Sequence, residues 1–300
     1  MIVGPKEGMG MEPVEEQDEP GLDRDALREC VRSTLTRLSR TGELPTLPQA
    51  ATAALGVARD PEAGIEDLCA VIRVDVGLSA RILRVANSAA YARRTPAKTL
   101  PEAVLTVGLR KTCDLLVAAT ARLLFVGPYA EELWHHALAS AVASEELARR
   151  TRLVDAQAAF LPGLFHDVGR IAFLLADPTA FDVIHRLAAD GEADPTELER
   201  GWYGFDHAEA GAILAEDWGL VAEQCEAIRW HHRPGRADAG GALAALLGCA
   251  DVVAYEIGCP GSPQRPSPGT LATLGFDTDE TTALVERVRE VWQIQNVLLS

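Results

Sequence analysis

The chain has 300 residues, 48% of them hydrophobic, enough to bury a sizeable core in one large domain or two modest ones. A formal net charge of −16 argues against non-specific binding to nucleic-acid backbones or anionic membranes, so neither is expected as a direct partner. Six scattered cysteines (Cys30, Cys69, Cys113, Cys225, Cys249 and Cys259) form no CxxC pair and mostly sit in apolar helical patterns, which reads as reduced thiols in the core of a cytoplasmic protein.

Residues 1–22 are acidic, contain Pro and Gly, and lack an apolar signal core; they are expected to be disordered and not a secretion signal. Leu27, Cys30, Val31, Leu35 and Leu38 then recur at helical spacing, with Asp23 or Asp25 as the N-cap. After "LPTLP", helical patterns follow near 48–59, 64–74, 77–89, 100–107 and 110–125, broken by "RDPEAG", "VDVG", "ARRTPAK" and "VGLR". A second block begins after "FVGPY". It predicts a long helix over about 131–150 and a continuous one over about 155–176, the latter carrying "GLFHDVGR". Others follow near 178–190, 194–202, 207–218, 221–232 and 239–258.

The nearly uncharged run from Ala239 is interrupted by Asp251 and reads as a buried helix of a soluble protein. The stretch 259–278 opens with "CPGSPQRPSPG", too proline-rich to be helical, and is expected to be a linker. A final helix over about 279–298 follows "DTDETT", a capping sequence, and places Leu284, Val285, Val288, Val291, Trp292 and Leu298 near one face. No convincing period-two alternation occurs, so the fold class is all-α. The expected organisation is a disordered 1–22, a helical domain over 23–258 with halves 23–126 and 127–258, a linker over 259–278 and a C-terminal helix over 279–300.

All seven histidines fall between residues 135 and 232, six of them in "LWHHAL", "LFHDVGR", "FDHAEAG" and "RWHH", with Asp167 among them and Asp251 just beyond. Imidazoles and carboxylates without thiolates suit a site for iron or manganese, with magnesium or zinc also open. Each residue also has a plainer explanation. His135 and His136 fit surface or packing positions, and His185 is read as solvated. Asp206 fits a helix N-cap in a capping box, which leaves His207 at the first helical position. His231 or His232 fits a helix C-terminus, where a cation is favoured. Asp251 is harder to dismiss, because a lone carboxylate in an apolar helix is costly. Adjacent helical positions are about 100° apart, so His166 and Asp167 can border one cleft.

"LPTLPQAATAAL", "VIRVDVGLSARILRVANSAAY" and "LPEAVLTVGLRKTCDLLVA" resemble the first half of an HDOD domain. "LWHHALASAVASEELA", "AAFLPGLFHDVGRIAFLL", "DHAEAGAILAEDWGL" and "AIRWHH" resemble its second half. The likeness covers about Leu44 to Ala254 and implies an all-helical member of the HD superfamily, usually bacterial, with a role in signalling and regulation. Its relatives include metal-dependent phosphohydrolases and HD-GYP cyclic-di-GMP phosphodiesterases. Carried over residue by residue, the resemblance implies metal ligands at His136, His166, Asp167, His207, His231, His232 and Asp251. His231 or His232 would serve a second ion.

Three departures stand out. Arg170 replaces the lysine that follows the HD pair in HD-GYP enzymes, the GYP segment is missing after the histidine doublet, and "DVGL" replaces "DPxL". Two readings follow. The first is a regulatory module that binds a signalling partner or a nucleotide and keeps a divalent metal. The second is a metal-dependent phosphohydrolase or cyclic-nucleotide phosphodiesterase, with Asp167 and Arg170 as catalytic residues. The missing GYP residues favour the first.

Overall fold

The computed structural model describes residues 24–38, 44–91, 95–189, 193–261 and 268–299. The 1–22 segment and Asp23 therefore lie outside the described residues, and Asp25 sits inside the first helical turn, not at its cap. The described residues form fifteen α-helices and no strand. The first half comprises α1 (Arg24–Leu38), α2 (Gln49–Arg59), α3 (Ile65–Arg73), α4 (Val76–Ala86), α5 (Leu100–Val107) and α6 (Leu109–Ala121). The second comprises α7 (Ala130–Thr151), α8 (Ala156–Phe165), α9 (Val168–Ala176), α10 (Pro178–Ala189), α11 (Pro195–Tyr203), α12 (His207–Asp217), α13 (Ala222–Trp230) and α14 (Gly241–Glu256). Helix α15 (Thr278–Leu299) closes the chain.

Local chemistry sets the boundaries. Asp75 caps α4 by accepting from the Gly77 and Leu78 N–H groups, and Asp206 caps α12 by accepting from Glu209. Gly108 separates α5 from α6 at φ +93°, where a side chain would be strained. Asp277 and Glu280 exchange hydrogen bonds at the start of α15, a reciprocal cap.

Helix α7 packs on α8, α14 and α15, while α12 bridges α9 and α13. Helix α6 packs on both α2 and α8, so one hydrophobic core runs from Val31 in α1 to Leu299 in α15. Ala156–Ala176, apolar enough by length and composition to cross a membrane, lies mostly inside this core.

The continuous helix expected over 155–176 is broken. Helix α8 ends at Phe165, His166 and Asp167 form a turn, and α9 starts at Val168. Asp167 adopts φ −101°, ψ 11°, and the Arg170 N–H returns to the Asp167 carbonyl over three residues. An unbroken apolar pattern does not reveal such a turn, because both arms are buried all round. Small residues let neighbouring helices come close here. A Cβ on Gly163 would lie 2.6 Å from Ser144 Oγ on α7, and one on Gly169 would lie 2.1 Å from the His207 carbonyl on α12.

Candidate metal centre

Five elements bring the predicted residues to one cleft. Helix α7 supplies His136, the α8–α9 turn supplies His166 and Asp167, and the first position of α12 supplies His207. His231 and His232 follow α13, and α14 supplies Asp251. Three groups of donor atoms lie close enough to share an ion: His136, His166 and Asp167; Asp167, His207, His231 and His232; and His166, His231 and Asp251. Asp167, His166 and His231 each belong to two groups, so the donors form one continuous centre.

The hydrogen bonds at the far ring nitrogens fix how these imidazoles can act. His136 Nδ1–H donates to the Cys259 carbonyl at 3.0 Å, His166 to Gly163 at 2.8 Å and His231 to Ile228 at 2.7 Å. Carbonyl oxygens only accept, so each Nδ1 carries the hydrogen and each Nε2 keeps a lone pair unless the ring is doubly protonated. His207 Nδ1–H donates in the same way to Glu199 Oε2 at 2.7 Å. The four Nε2 atoms converge on the two aspartates. His166 Nε2 lies 2.9 Å from Asp251 Oδ1, His207 Nε2 lies 3.1 Å from Asp167 Oδ1, and His136 Nε2 lies 3.4 Å from Asp251 Oδ1.

This arrangement demands positive charge. His136 Nε2 and His166 Nε2 face each other at 3.1 Å, and with both Nδ1 atoms already donating, their lone pairs would collide. His231 Nε2 is buried and has no hydrogen-bond partner. In the ion-free protein, protons fill the need. Burial alone would push the His166 imidazole down, but Asp167 and Asp251 outweigh it and bring it up to about 9. Burial likewise opposes ionisation of Asp167, and His166 and His207 outweigh it, holding its carboxyl well below the usual range. A divalent cation meets the same need with a donor set of imidazoles and carboxylates and no thiolate, so the residues present fit the metal that the sequence suggests.

Two supporting groups are not marked by sequence spacing. Glu199 on α11 is 2% exposed and takes both the His207 N–H at 2.8 Å and its Nδ1–H. The second is the backbone of 259–261, inside the expected linker. The Cys259 carbonyl orients His136, and the Gly261 carbonyl accepts from Arg170 Nη1. A Cβ on Gly261 would lie 2.3 Å from the His136 ring. Within 268–274 the chain forms a 3-10 helix, and Thr270 and Thr273 line the cleft.

Arg170 itself is 4% exposed, lies 3.6 Å from Asp167 Oδ2 and sits over the Phe181 ring. His185 is not solvated. Its side chain is 12% exposed and packs against Tyr129 and Phe181, and burial, reinforced by Arg170, pushes it down to about 4. His135 lies outside the centre, edge-on to Trp292 of α15. The cleft encloses about 820 Å³, and Asp194, Thr196 and Tyr255 add polar groups to its wall.

The profile of the HDOD domain family matches residues 44–234. An uncharacterized protein of Treponema pallidum (strain Nichols) is 29% identical over 199 residues, 64% of this chain and 38% of that protein. Among solved structures, an HDOD domain protein of unknown function from Geobacter sulfurreducens superposes with a TM-score of 0.75 at 23% identity, covering 92% of this chain and 98% of that one. A protein assigned to signal transduction from Marinobacter aquaeolei VT8 gives 0.73 at 22% identity, covering 92% of this chain and 65% of that one. A protein assigned as a phosphohydrolase from Shewanella amazonensis SB2B gives 0.69 at 25% identity, covering 90% and 98%. The chain thus spans less than two thirds of the Treponema and Marinobacter proteins.

Proposed function

The chain belongs to the HDOD domain family, and from that premise we propose that it is a regulatory module of bacterial signal transduction whose HD cleft holds divalent metal and binds a nucleotide or a signalling partner. The observation that carries this reading is the state of Arg170. A cation that serves phosphate must offer its N–H fork to the cleft. Here Arg170 lines the cleft but is buried, spends Nη1 on the Gly261 carbonyl and lies over the Phe181 ring, so part of its fork is committed to the 259–261 segment. The cleft is large enough for a nucleotide, and its walls combine imidazoles, carboxylates and hydroxyls. Iron or manganese suits these donors best, with magnesium and zinc also compatible.

A second reading, a metal-dependent phosphohydrolase or phosphodiesterase, is favoured by one feature: Asp167 contributes to two donor groups at once. When bound, divalent ions supply positive charge and Lewis acidity to a phosphate ester. In that case Asp167 would hold the ions, and Arg170, at the cleft wall, would neutralise phosphate charge.

Turnover assays decide between the two. Protein reloaded with manganese or iron is tested on phosphate esters and cyclic dinucleotides. The regulatory reading expects no hydrolysis above the metal blank. Robust hydrolysis that disappears in Asp167→Asn, with helical content retained, would establish the enzyme.

A further inference from the structure

Charge is not spread evenly along the chain. Residues 73–111 hold eight of the 28 Lys and Arg residues but only two of the 44 Asp and Glu residues, a net +6 in a chain whose total is −16. The described part of this stretch forms the end of α3, all of α4 and α5 and the start of α6, which pack on one another as one lobe. Both carboxylates are engaged by local backbone. Asp75 accepts from the Gly77 and Leu78 N–H groups, and Glu102 accepts from the Lys98 N–H at 2.7 Å.

The α3–α4 corner of this lobe also exposes apolar surface. Val74 and Val76 flank Asp75 and are 88% and 84% exposed. Along α4, Val76, Ala80 and Arg84 recur every four residues and are all exposed, so they share one helix face. Gly77 beside them is exposed as well, and the small residues at 77 and 80 let another backbone come close. The face is held at both ends. Asp75 caps its start, and beyond its end the Asn87 side chain exchanges hydrogen bonds with the Ala97 backbone at 2.8 and 2.9 Å.

Cations rim this corner. Arg73 immediately precedes Val74, Arg84 ends the exposed row, and Lys98 and Arg110 are exposed at the two ends of α5. Arg73 meets Glu66 at 3.3 Å, but both side chains are more than half exposed, so water screens the pair and Arg73 stays available. Lys111 differs, because it turns inward to Glu145 Oε2 at 2.5 Å and lies over the Phe160 ring. Exposed aliphatic anchors beside a cationic rim match a polypeptide segment that carries aliphatic and acidic side chains. A nucleic acid gains nothing from the valines and is repelled by the rest of the chain.

We propose that the α3–α4 corner docks an acidic, amphipathic segment of a partner protein, with aliphatic side chains against Val74, Val76 and Ala80 and carboxylates towards Arg73 and Arg84. The inference rests on the regulatory reading, to whose signalling partner it gives a place and a chemistry. The row from Val76 to Arg84 is about 12 Å long, room for about two turns of helix or about four residues of extended chain. The positive lobe steers such a segment towards the corner, while the acidic remainder of the chain turns it away elsewhere.

The test selects binders from a library of short random peptides on the full wild-type chain, then measures their affinity for variants by fluorescence anisotropy. The selected peptides should be rich in Asp and Glu together with Leu, Ile or Val. Arg73→Glu combined with Arg84→Glu should weaken them about tenfold, and so should Val74→Ser combined with Val76→Ser, the worth of burying about one valine. Leu153→Ser, an exposed apolar position on the α7–α8 connection, should leave affinity unchanged. Circular dichroism establishes that each variant is folded. A short DNA duplex and vesicles of anionic phospholipid, tried at physiological salt, should not bind. The inference is overturned by a selection without binders, by peptides not enriched in acidic residues, by affinity unchanged in either double variant, by an equal loss in Leu153→Ser, or by duplex or vesicle binding that the double variants abolish. No step involves the metal cleft, so a failure here removes the docking surface while the turnover assays still judge the regulatory reading.

Discussion

Glu199 holds His207 through two hydrogen bonds to a single carboxylate oxygen, one from the ring Nδ1 at 2.7 Å and one from the backbone N–H at 2.8 Å. The pair fixes the tautomer, the ring plane and the start of α12 together. Glu199→Gln keeps the shape but weakens the acceptor. Supporting partners of this kind are worth about 10–100-fold in metal affinity, so manganese should bind that much more weakly at unchanged helical content. Titration of manganese into the variant checks this, and wild-type affinity would remove Glu199 from the centre.

The strap over His136 is tested at Gly261. An added Cβ would meet the His136 ring at 2.3 Å, so Gly261→Ala must shift the ring or the strap. Metal affinity should fall by roughly tenfold, as for other perturbed supporting groups. Gly235→Ala is the control, because a Cβ there meets nothing within 4 Å. If both variants bind metal like the wild type, the strap does not position His136.

Metal binding should release protons. Near neutral pH the ion-free centre keeps His166 protonated, since its pKa stands up at about 9. An incoming ion must displace that proton, so affinity should rise with pH between 6 and 9, by up to about tenfold per unit for each proton released. Calorimetry in buffers of different ionisation enthalpy counts the protons. Affinity independent of pH over this range would mean that His166 does not bind metal.

Asp114 on α6 offers a pH test away from the centre. It is 2% exposed, Oδ2 lacks a partner, and burial pushes its carboxyl up to about 7. The folded state therefore binds this proton more tightly than the unfolded state does. Its contribution to stability is complete below pH 4 and is lost as pH rises towards 7. Asp114→Asn should stabilise the protein by about 1–3 kcal/mol at pH 8 and have little effect at pH 4. Melting curves at the two pH values measure the difference.

Much of this architecture was legible before the structure. Helical periodicity carried most elements, because most of the helices bury one face at a spacing near 3.6. Six histidines and two aspartates clustered in apolar surroundings marked the centre. The turn at His166–Asp167 was hidden, since α8 and α9 are apolar all round and periodicity cannot locate a break inside such a run. Glu199 was hidden because "TELER" reads as an ordinary exposed helix, and only the fold lays it beneath His207. The Cys259 and Gly261 contacts are made by backbone carbonyls, which no side-chain pattern reports. His185 reads as solvated from sequence because part of its burial comes from Tyr129, far away in the chain, beside Phe181 one turn earlier on α10.

The central claim is that the converging Nε2 atoms and the two aspartates hold divalent metal. Elemental analysis of anaerobically purified protein, paired with melting curves before and after chelation, tests it most directly. The account predicts stoichiometric iron or manganese, a lower melting temperature after chelation, recovery on adding the metal back, and loss of both the metal and the chelator effect in His166→Ala. Protein without stoichiometric metal, and with a melting temperature indifferent to chelator and to added manganese or iron, would contradict it and leave the cleft neutralised by protons and Arg170 alone.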